Sequence, residues 1–253
     1  MSTGFCIPEK REQLILTAKL AEQCERYDEV LVCMKRAVKL DPHLSREERN
    51  LLSVAYKNII GGRRSCWRSI TSLELKEEAK KEKNLNLIKG FKRQVEKELA
   101  EICTDVLELS DKYLIPAADN DESKVYYYKL KGDYHRYYAE IEASSEAQKN
   151  LALDAYTLAS EHITSLNVTS PVRLGLALNF SVLYYEILKR PDMGCQLARE
   201  AFEEALSEPK VLDEEQNKEA ALIMQLLRDN LALWTEDAHP ESPDDGTAME
   251  ELE

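Results

Sequence analysis

Two pairs of basic residues have the spacing of a single helix face. Lys57 and Arg64 are seven residues apart, and Lys129 and Arg136 repeat that spacing, with Tyr137 next to Arg136. Residues seven apart on a helix lie about 20° from each other around the axis and ~10 Å apart along it. Each pair therefore forms a short cationic stripe, which is suited to binding an anion.

A glycine accompanies each stripe, Gly61 in the first and Gly132 in the second, and a residue without a side chain would let a ligand approach closely. The alternative is that the cations are solvated or are paired within the chain. Arg136, for example, has Asp133 three residues before it and Glu140 four residues after it, and both spacings allow an ion pair on a helix.

The first stripe lies in a segment that contains no acidic residue. The chain has 47 acidic residues and a net charge of −13, yet the segment 49–73 is purely cationic. Because a solvated helix face usually mixes both signs, this segment indicates an anionic partner. Its basic residues are Arg49, Lys57, Arg63, Arg64 and Arg68.

Two largely apolar helices later in the chain each carry one asparagine. Residues 172–188 include Asn179, with Glu186 seven positions later, and residues 220–236 include Asn230. Since an amide both donates and accepts hydrogen bonds, the two asparagines could hold the backbone of a bound peptide. The alternative is that they are core residues with internal partners.

Proline and capping positions divide the chain into helices, and no stretch has the period of two that is typical of a strand. Ser45 and Glu48 have the spacing of a capping box, Asp28 is a candidate cap, and Ser170 precedes a proline at a first helical position. The pattern predicts an all-α protein of nine antiparallel helices. Their approximate ranges are 10–26, 28–41, 45–76, 80–114, 123–142, 146–165, 171–189, 191–208 and 212–236.

Composition argues against catalysis and against cofactors. The six cysteines include no C-x-x-C pair, and the four histidines are far apart without the spacing of metal ligands. The sequence contains no nucleophile–base pair with credible spacing and no glycine-rich phosphate loop. We therefore predict that the protein is not an enzyme, that it needs no cofactor or metal, and that its thiols are reduced.

Charge and hydropathy also limit the partners and the compartment. A sequence pI of about 5.0 disfavours binding to nucleic acid. No apolar run reaches the ~18–20 residues that span a bilayer, and the first residues lack the apolar core of a signal peptide. The expected location is the cytoplasm, with the nucleus as a second compartment and no membrane insertion.

The end of the chain is strongly acidic. Residues 235–253 carry eight acidic residues and no lysine or arginine, which predicts a disordered tail. We assign residues 1–237 to one helical domain and residues 238–253 to the tail. The tail is either a solubilising end or a competitor for the cationic site.

Five stretches, in this order and over about residues 10–237, resemble the 14-3-3 proteins. The resemblance implies a cup-shaped protomer of nine helices, dimerisation through the first four helices, and binding of client segments that carry phosphoserine or phosphothreonine. The stretches are AKLAEQCERYDE (18–29), RNLLSVAYKNIIGGRRSCWR (49–68), SKVYYYKLKGDYHRYYAE (123–140), PVRLGLALNFSVLYYEIL (171–188) and LIMQLLRDNLALWTED (222–237).

The resemblance also implies roles for individual residues. The residues implied for the phosphate site are Lys57, Arg64, Arg136 and Tyr137, with Lys129 nearby. Asn179 and Asn230 would hydrogen-bond the backbone of the client. The implied groove wall consists of Leu178, Val182, Leu222, Ile223, Leu226 and Trp234, with Glu186 as a polar contact at its edge.

The implied dimer interface departs from the family pattern at one ion pair. Glu29 keeps the acidic partner of that pair, but Gln94 stands where a lysine is expected, so we expect a dimer, with itself or with a paralogue, that is looser than usual. Cys66 replaces a serine that many family members can phosphorylate. The implied interface residues are Leu20, Cys24, Arg26, Ile70, Leu73, Phe91 and Glu98.

The function predicted from these observations is that of a phosphoserine- or phosphothreonine-dependent adaptor that regulates the activity or location of its client proteins. The alternative is a helical scaffold of the tetratricopeptide type that binds unmodified peptides. The two differ in whether a phosphate on the peptide changes its affinity.

Overall fold

The computed structural model describes residues 7–80, 84–141, 146–208 and 213–238, and within these ranges it contains nine α-helices and no strand. The expected all-α class and helix count are confirmed. The helices are α1 (Arg11–Gln23), α2 (Tyr27–Leu40), α3 (Arg46–Lys80), α4 (Leu85–Leu109), α5 (Asp121–Ile141), α6 (Glu146–Ser160), α7 (Pro171–Val182), α8 (Pro191–Ser207) and α9 (Glu214–Ala238).

Local capping chemistry fixes the start of α3. Ser45 Oγ accepts a hydrogen bond from the Glu48 backbone N–H at 3.2 Å, and the Glu48 carboxylate accepts one from the Ser45 backbone N–H at 2.9 Å. These reciprocal bonds are the predicted capping box. The prediction for α2 is wrong in detail, because Arg26 is the N-cap and Asp28 lies in the first turn.

Two segments continue α-helices in the wider π geometry. Ser110–Leu114 follows α4, and Leu183–Ile187 follows α7. The sequence pattern extended both helices through these residues without distinguishing the π turns. Ser170 is the N-cap of α7 and Pro171 is its first residue, but the Ser170 side chain makes no capping hydrogen bond.

The chain forms two compact units, residues 1–165 and 166–253. In the first unit, α1 packs on α2, α2 on α3, α3 on α4, and α4 and α6 on α5. Its core includes the fully buried tyrosines Tyr56 and Tyr134, whose rings meet edge to face with centroids 6.0 Å apart. This packing brings the middle of α3 and the C-terminal half of α5 to a common region.

In the second unit, α7, α8 and α9 pack on one another. Leu174, Leu227 and Trp234 are buried in its core, with alanines that allow the helices to approach closely. Trp234 stacks on Tyr185 with ring centroids 4.4 Å apart.

No helix in the described part of the chain is long and apolar enough to cross a membrane. The acidic tail predicted for residues 238–253 lies outside the described residues except for Ala238, which ends α9. Cys6 also lies outside them.

Candidate functional site

Arg64 on α3 and Arg136 on α5 contact the same carboxylate. Nε of Arg64 is 3.0 Å from one oxygen of Glu140, and Nη2 of Arg64 is 2.7 and 2.8 Å from the two oxygens. Nη1 of Arg136 is 3.4 Å from the same group. Residues from two helices therefore place two guanidinium groups around one oxyanion.

The ring of Tyr137 lies against both arginines. The Cζ atom of Arg64 is 4.1 Å from the ring centroid, and that of Arg136 is 4.6 Å from it. Guanidinium groups at this distance from a tyrosine ring are held by cation–π attraction, which restricts their orientation. We call Arg64, Arg136, Tyr137 and Glu140 the arginine cluster.

A buried network of hydrogen bonds holds the side chain of Arg136 in place. Tyr156 on α6 donates a hydrogen bond to Asp133 at 2.6 Å and accepts one from Nε of Arg136 at 3.3 Å. Lys129 donates to the other oxygen of Asp133 at 2.8 Å. The Arg136 side chain is only 7% exposed, so these partners are what make a buried cation tolerable at this position.

The ionisation of this network follows from its charges. Burial alone would raise the pKa of Asp133, but the charges of Lys129 and Arg136 and the hydrogen bonds from Lys129 and Tyr156 outweigh it and lower the pKa. Burial would lower the pKa of Arg136, and the negative potential of Tyr156, Tyr137 and Asp133 raises it well above its usual value. Asp133 is thus a carboxylate and Arg136 a cation throughout the physiological range.

Lys57 is exposed on α3, seven residues before Arg64. Gly61 lies between them, and a methyl group at its Cα would meet nothing within 4 Å. This face of α3 is therefore open.

Gly132 on α5 has a different role from the one its position suggested, because a Cβ there would lie 2.6 Å from the ring of Tyr156. Gly132 makes room for Tyr156 and not for a ligand.

The acid-free segment obtains its counter-ions from other helices. Arg49 lies 2.8 Å from Glu122 on α5, Arg63 lies 3.8 Å from Glu98 on α4, and Arg64 pairs with Glu140. These three arginines are therefore paired within the chain, through contacts between helices that local spacing does not reveal.

The structure adds two residues to the site that sequence reasoning did not assign. Glu140 was considered only as an i+4 partner of Arg136, and its closer contact is with Arg64, 76 residues away. Tyr156 was not identified at all, and no motif around it distinguishes it from the other tyrosines of the chain. Helix packing alone brings both residues to the arginine cluster.

The second unit contains the remaining groove residues of the prediction. Asn179 on α7 and Asn230 on α9 are half-buried, and Glu186 is exposed. Leu178, Val182 and Ile223 pack against the core of this unit, while Leu222 and Leu226 are 62% and 43% exposed. Trp234 is 3% exposed, so it contributes mainly to the core.

The residues predicted for the dimer interface lie in the first unit. Leu20, Leu73 and Phe91 are each more than half exposed, and Cys24 is exposed, whereas Ile70 is buried. Leu20, Leu73 and Phe91 lie on α1, α3 and α4 respectively.

Both charged residues of this set have partners within the chain. Arg26 pairs with Glu29, and Glu98 accepts a hydrogen bond from Gln94 at 3.1 Å. The protomer thus holds these side chains in internal pairs.

Comparisons of this chain with known proteins all point to one family. The family model for the 14-3-3 protein matches residues 17–235. The chain is 54% identical to 14-3-3 protein epsilon of Drosophila melanogaster over 253 aligned residues, which cover 96% of each chain. It is 56% identical to 14-3-3 family protein artA of Aspergillus flavus, over 88% of this chain and 96% of that protein. It is 52% identical to human 14-3-3 protein theta, over 93% and 97% of the two chains.

Proposed function

The chain belongs to the 14-3-3 family of phosphoserine- and phosphothreonine-dependent adaptors, which are not enzymes, and we propose that its arginine cluster, with Lys57, binds the phosphate of the client. The observation that carries this proposal is the carboxylate of Glu140, which contacts the guanidinium groups of both Arg64 and Arg136. A single oxyanion can therefore bridge these two cations.

A phosphate would compete well for this position. A phosphoserine carries a charge of about −1.5 to −2 and three acceptor oxygens, whereas Glu140 carries one charge and two oxygens. Nη1 of Arg64 takes no part in the bonds to Glu140, so Arg64 has a donor for an arriving anion while the carboxylate orients it. An unmodified serine offers no charge to these cations, and this difference makes binding depend on phosphorylation.

The other elements of the groove are part of the same proposal. We propose that Asn179 and Asn230 hydrogen-bond the client backbone, and that Leu178, Val182, Leu222, Ile223, Leu226 and Trp234 contact its apolar side chains, with Glu186 at the edge. Support comes from the exposure of Leu222 and Leu226 on α9. Lys129 acts through Asp133, which it contacts, and so helps to hold Arg136.

Binding of phosphorylated clients and dimerisation are properties of the family. We propose in addition that the chain forms a homodimer or pairs with a paralogue, and that it acts in the cytoplasm and the nucleus. Residues 1–237 would form the client-binding domain, and residues 238–253 an acidic tail.

The test is a titration of a peptide in its phosphorylated and unmodified forms. We expect wild-type protein to bind only the phosphorylated form measurably, and Lys57→Glu and Arg64→Ala to lose that binding while keeping the helical circular dichroism of wild type. Arg68→Ala is the matched control, since Arg68 is an exposed arginine of the same acid-free segment. Equal affinity for the two forms of the peptide would indicate a scaffold for unmodified peptides.

A further inference from the structure

A glycine of α8 lies at a very close contact with α7 in the second unit. A Cβ atom at Gly194 would lie 2.9 Å from the carbonyl oxygen of Ser181, 3.0 Å from Cβ of Tyr185 and 3.1 Å from the backbone nitrogen of Tyr185. Non-bonded carbon atoms pack best at about 3.5–4.0 Å. Since two of the three atoms belong to the backbone, rotation of a side chain could not make room for a methyl group. The residue at position 194 therefore decides how closely α8 approaches α7.

This contact lies where α7 changes its geometry. The helix continues as the segment Leu183–Ile187, which we call the π segment. Ser181 precedes the π segment and Tyr185 lies within it, so Gly194 packs at the transition. The helix α8 begins at Pro191, four residues after the π segment, and Gly194 lies in its first turn. Short π segments in α-helices frequently occur at functional sites, which directs attention to the residues around this one.

One connection runs from Gly194 to Asn179 within α7. Asn179 lies two residues before Ser181, which is about 3 Å along the helix axis. The Ser181 side chain is fully buried, and its Oγ donates a hydrogen bond to the carbonyl oxygen of Leu178 at 2.7 Å. Ser181 is thus joined to the turn that carries Asn179. A displacement of the Ser181 backbone would therefore move Asn179 with it.

A second connection runs from Gly194 to Asn230 on α9. The ring of Tyr185 stacks on that of Trp234, with centroids 4.4 Å apart and the ring planes 9° from parallel. Trp234 is 3% exposed and lies one helical turn after Asn230. Because protein interiors are close-packed, they transmit displacements to neighbouring groups. A displacement of Tyr185 would therefore reach the part of α9 that carries Asn230.

We propose that Gly194 is a positioning residue that sets the spacing between the side chains of Asn179 and Asn230. It acts through the backbone of α7 and through the stacked rings of Tyr185 and Trp234. The proposal rests on the proposed function, in which the two asparagines hydrogen-bond the client backbone. A binding site must hold its groups to within about 0.5 Å, and a methyl group at position 194 would require a displacement of that order.

The positional part of the proposal is tested without a ligand, by NMR of full-length protein. We expect the side-chain amide signals of Asn179 and Asn230 to shift in Gly194→Ala relative to wild type. The matched control is Ala205→Gly, which weakens α8 at a fully buried position eleven residues later without adding an atom. The two asparagine signals should stay in place in this control. Unmoved signals in Gly194→Ala, or equal shifts in the two variants, would overturn the proposal.

Titration with a phosphoserine peptide tests the functional part. We expect Gly194→Ala to bind the peptide about fivefold more weakly than wild type, the size expected when hydrogen bonds to the client backbone are weakened. Ala205→Gly should bind within about twofold of wild type. In an Asn179→Ala background the factor lost to Gly194→Ala should become smaller, because one of the groups that Gly194 positions is gone. An unchanged factor in that background would contradict the proposal.

A second variant keeps Gly194 and removes the ring that connects it to α9. Tyr185→Leu should shift the Asn230 amide signal and weaken peptide binding severalfold. An unmoved Asn230 signal would overturn the proposal even where Gly194→Ala does not fold.

Failure of the proposed function gives a different result. Wild-type protein that does not bind the phosphopeptide, or Asn179→Ala that binds it as wild type does, counts against the proposed function. The amide shifts in the free protein test the positioning by Gly194 independently of that outcome.

Discussion

Arg64 of α3 and Glu140 of α5, 76 residues apart in the sequence, form an ion pair in which Nε of the guanidinium contacts one carboxylate oxygen and Nη2 contacts both. Arg136 contacts the same carboxylate, so Glu140 occupies a position between two cations that a client phosphate would also seek. Glu140 thus orients the two arginines and, under the proposed function, would compete with the client phosphate for them.

The first prediction concerns Glu140→Gln. Loss of the negative charge leaves Arg64 and Arg136 without their shared counter-ion, so we expect the free protein to lose about 1–3 kcal/mol of unfolding free energy. A bound phosphopeptide restores the missing charge. The stabilisation by peptide should therefore be larger in the variant than in wild type, and the peptide affinity should rise severalfold.

Urea unfolding with and without saturating phosphopeptide measures both effects of Glu140→Gln. Glu146→Gln is the control, because Glu146 lies on the surface of α6 and pairs only with Lys149 among the described residues. Complete loss of peptide binding by a folded Glu140→Gln protein would show that Glu140 positions the arginines without competing for them.

The second prediction concerns Tyr156→Phe. Removal of the hydroxyl takes a hydrogen bond from Asp133 and another from Arg136, both in a buried setting. We expect a loss of about 1–3 kcal/mol of unfolding free energy and weaker phosphopeptide binding, because Arg136 loses one of the groups that orient it. Tyr138→Phe, at a half-buried tyrosine of α5, should change neither quantity by more than a fraction of this. Unchanged peptide affinity in Tyr156→Phe would show that Arg136 does not need this support.

The third prediction uses two glycines in helices. Alanine is the better helix former by about 1 kcal/mol, so Gly62→Ala, which meets nothing within 4 Å, should stabilise the protein by ~0.5–1 kcal/mol. At Gly132 the new methyl group would lie 2.6 Å from the Tyr156 ring. Gly132→Ala should therefore destabilise the protein by ~1–3 kcal/mol. Thermal unfolding of the two variants compares these opposite signs, and stabilisation by Gly132→Ala would mean that the ring moves aside at little cost.

The fourth prediction concerns pH. Burial lowers the pKa of His135, and the charge of Lys131 adds to this, although the hydrogen bond with Gln148 partly opposes it. The folded protein therefore keeps His135 neutral at a pH where the unfolded chain, with a histidine pKa of about 6.5, binds a proton. The unfolded state takes up more protons in this window, so stability falls as the pH drops below ~6.5 towards the lowered pKa.

Unfolding free energies of wild type and His135→Gln between neutral and mildly acidic pH isolate this contribution. The acidic residues titrate in both proteins, so only the difference between the two curves reports on His135. We expect the wild-type curve to fall more steeply below ~6.5, and parallel curves would refute the assignment.

Sequence reasoning correctly predicted those features of the structure that depend on residues close to one another in the chain. The capping box of Ser45 and Glu48 and the proline that begins α7 are set by residues at most three positions apart, and the helix count followed from such signals. Asp28 was misassigned as the N-cap of α2 because aspartate is favoured both at the N-cap and within the first turn of a helix, and here it lies in the first turn.

The site was predictable only in part, for the same reason. The cationic stripes on α3 and α5 were visible as seven-residue spacings, the two asparagines stood out in largely apolar helices, and the family resemblance added the groove wall. The contact of Arg64 with Glu140 and the support of Arg136 by Tyr156 join residues 76 and 20 positions apart, and no local pattern encodes such distances. The role of Gly132 likewise required the position of a ring from another helix.

The fifth prediction concerns assembly. Leu20, Leu73 and Phe91 expose more than half of their surface in the protomer, and burial of that remaining half in an interface would provide about 1 kcal/mol each. The ionic contribution should be small, because Arg26 and Glu98 already have partners within the chain and exposed pairs provide only ~0–1 kcal/mol. We therefore expect a dimer held mainly by apolar contacts, whose dissociation depends little on salt. Sedimentation equilibrium at low micromolar concentration should show a dimer for wild type and a monomer for Leu20→Glu. Leu158→Glu, at an exposed leucine of α6, should remain dimeric, and a monomeric wild type would contradict the prediction.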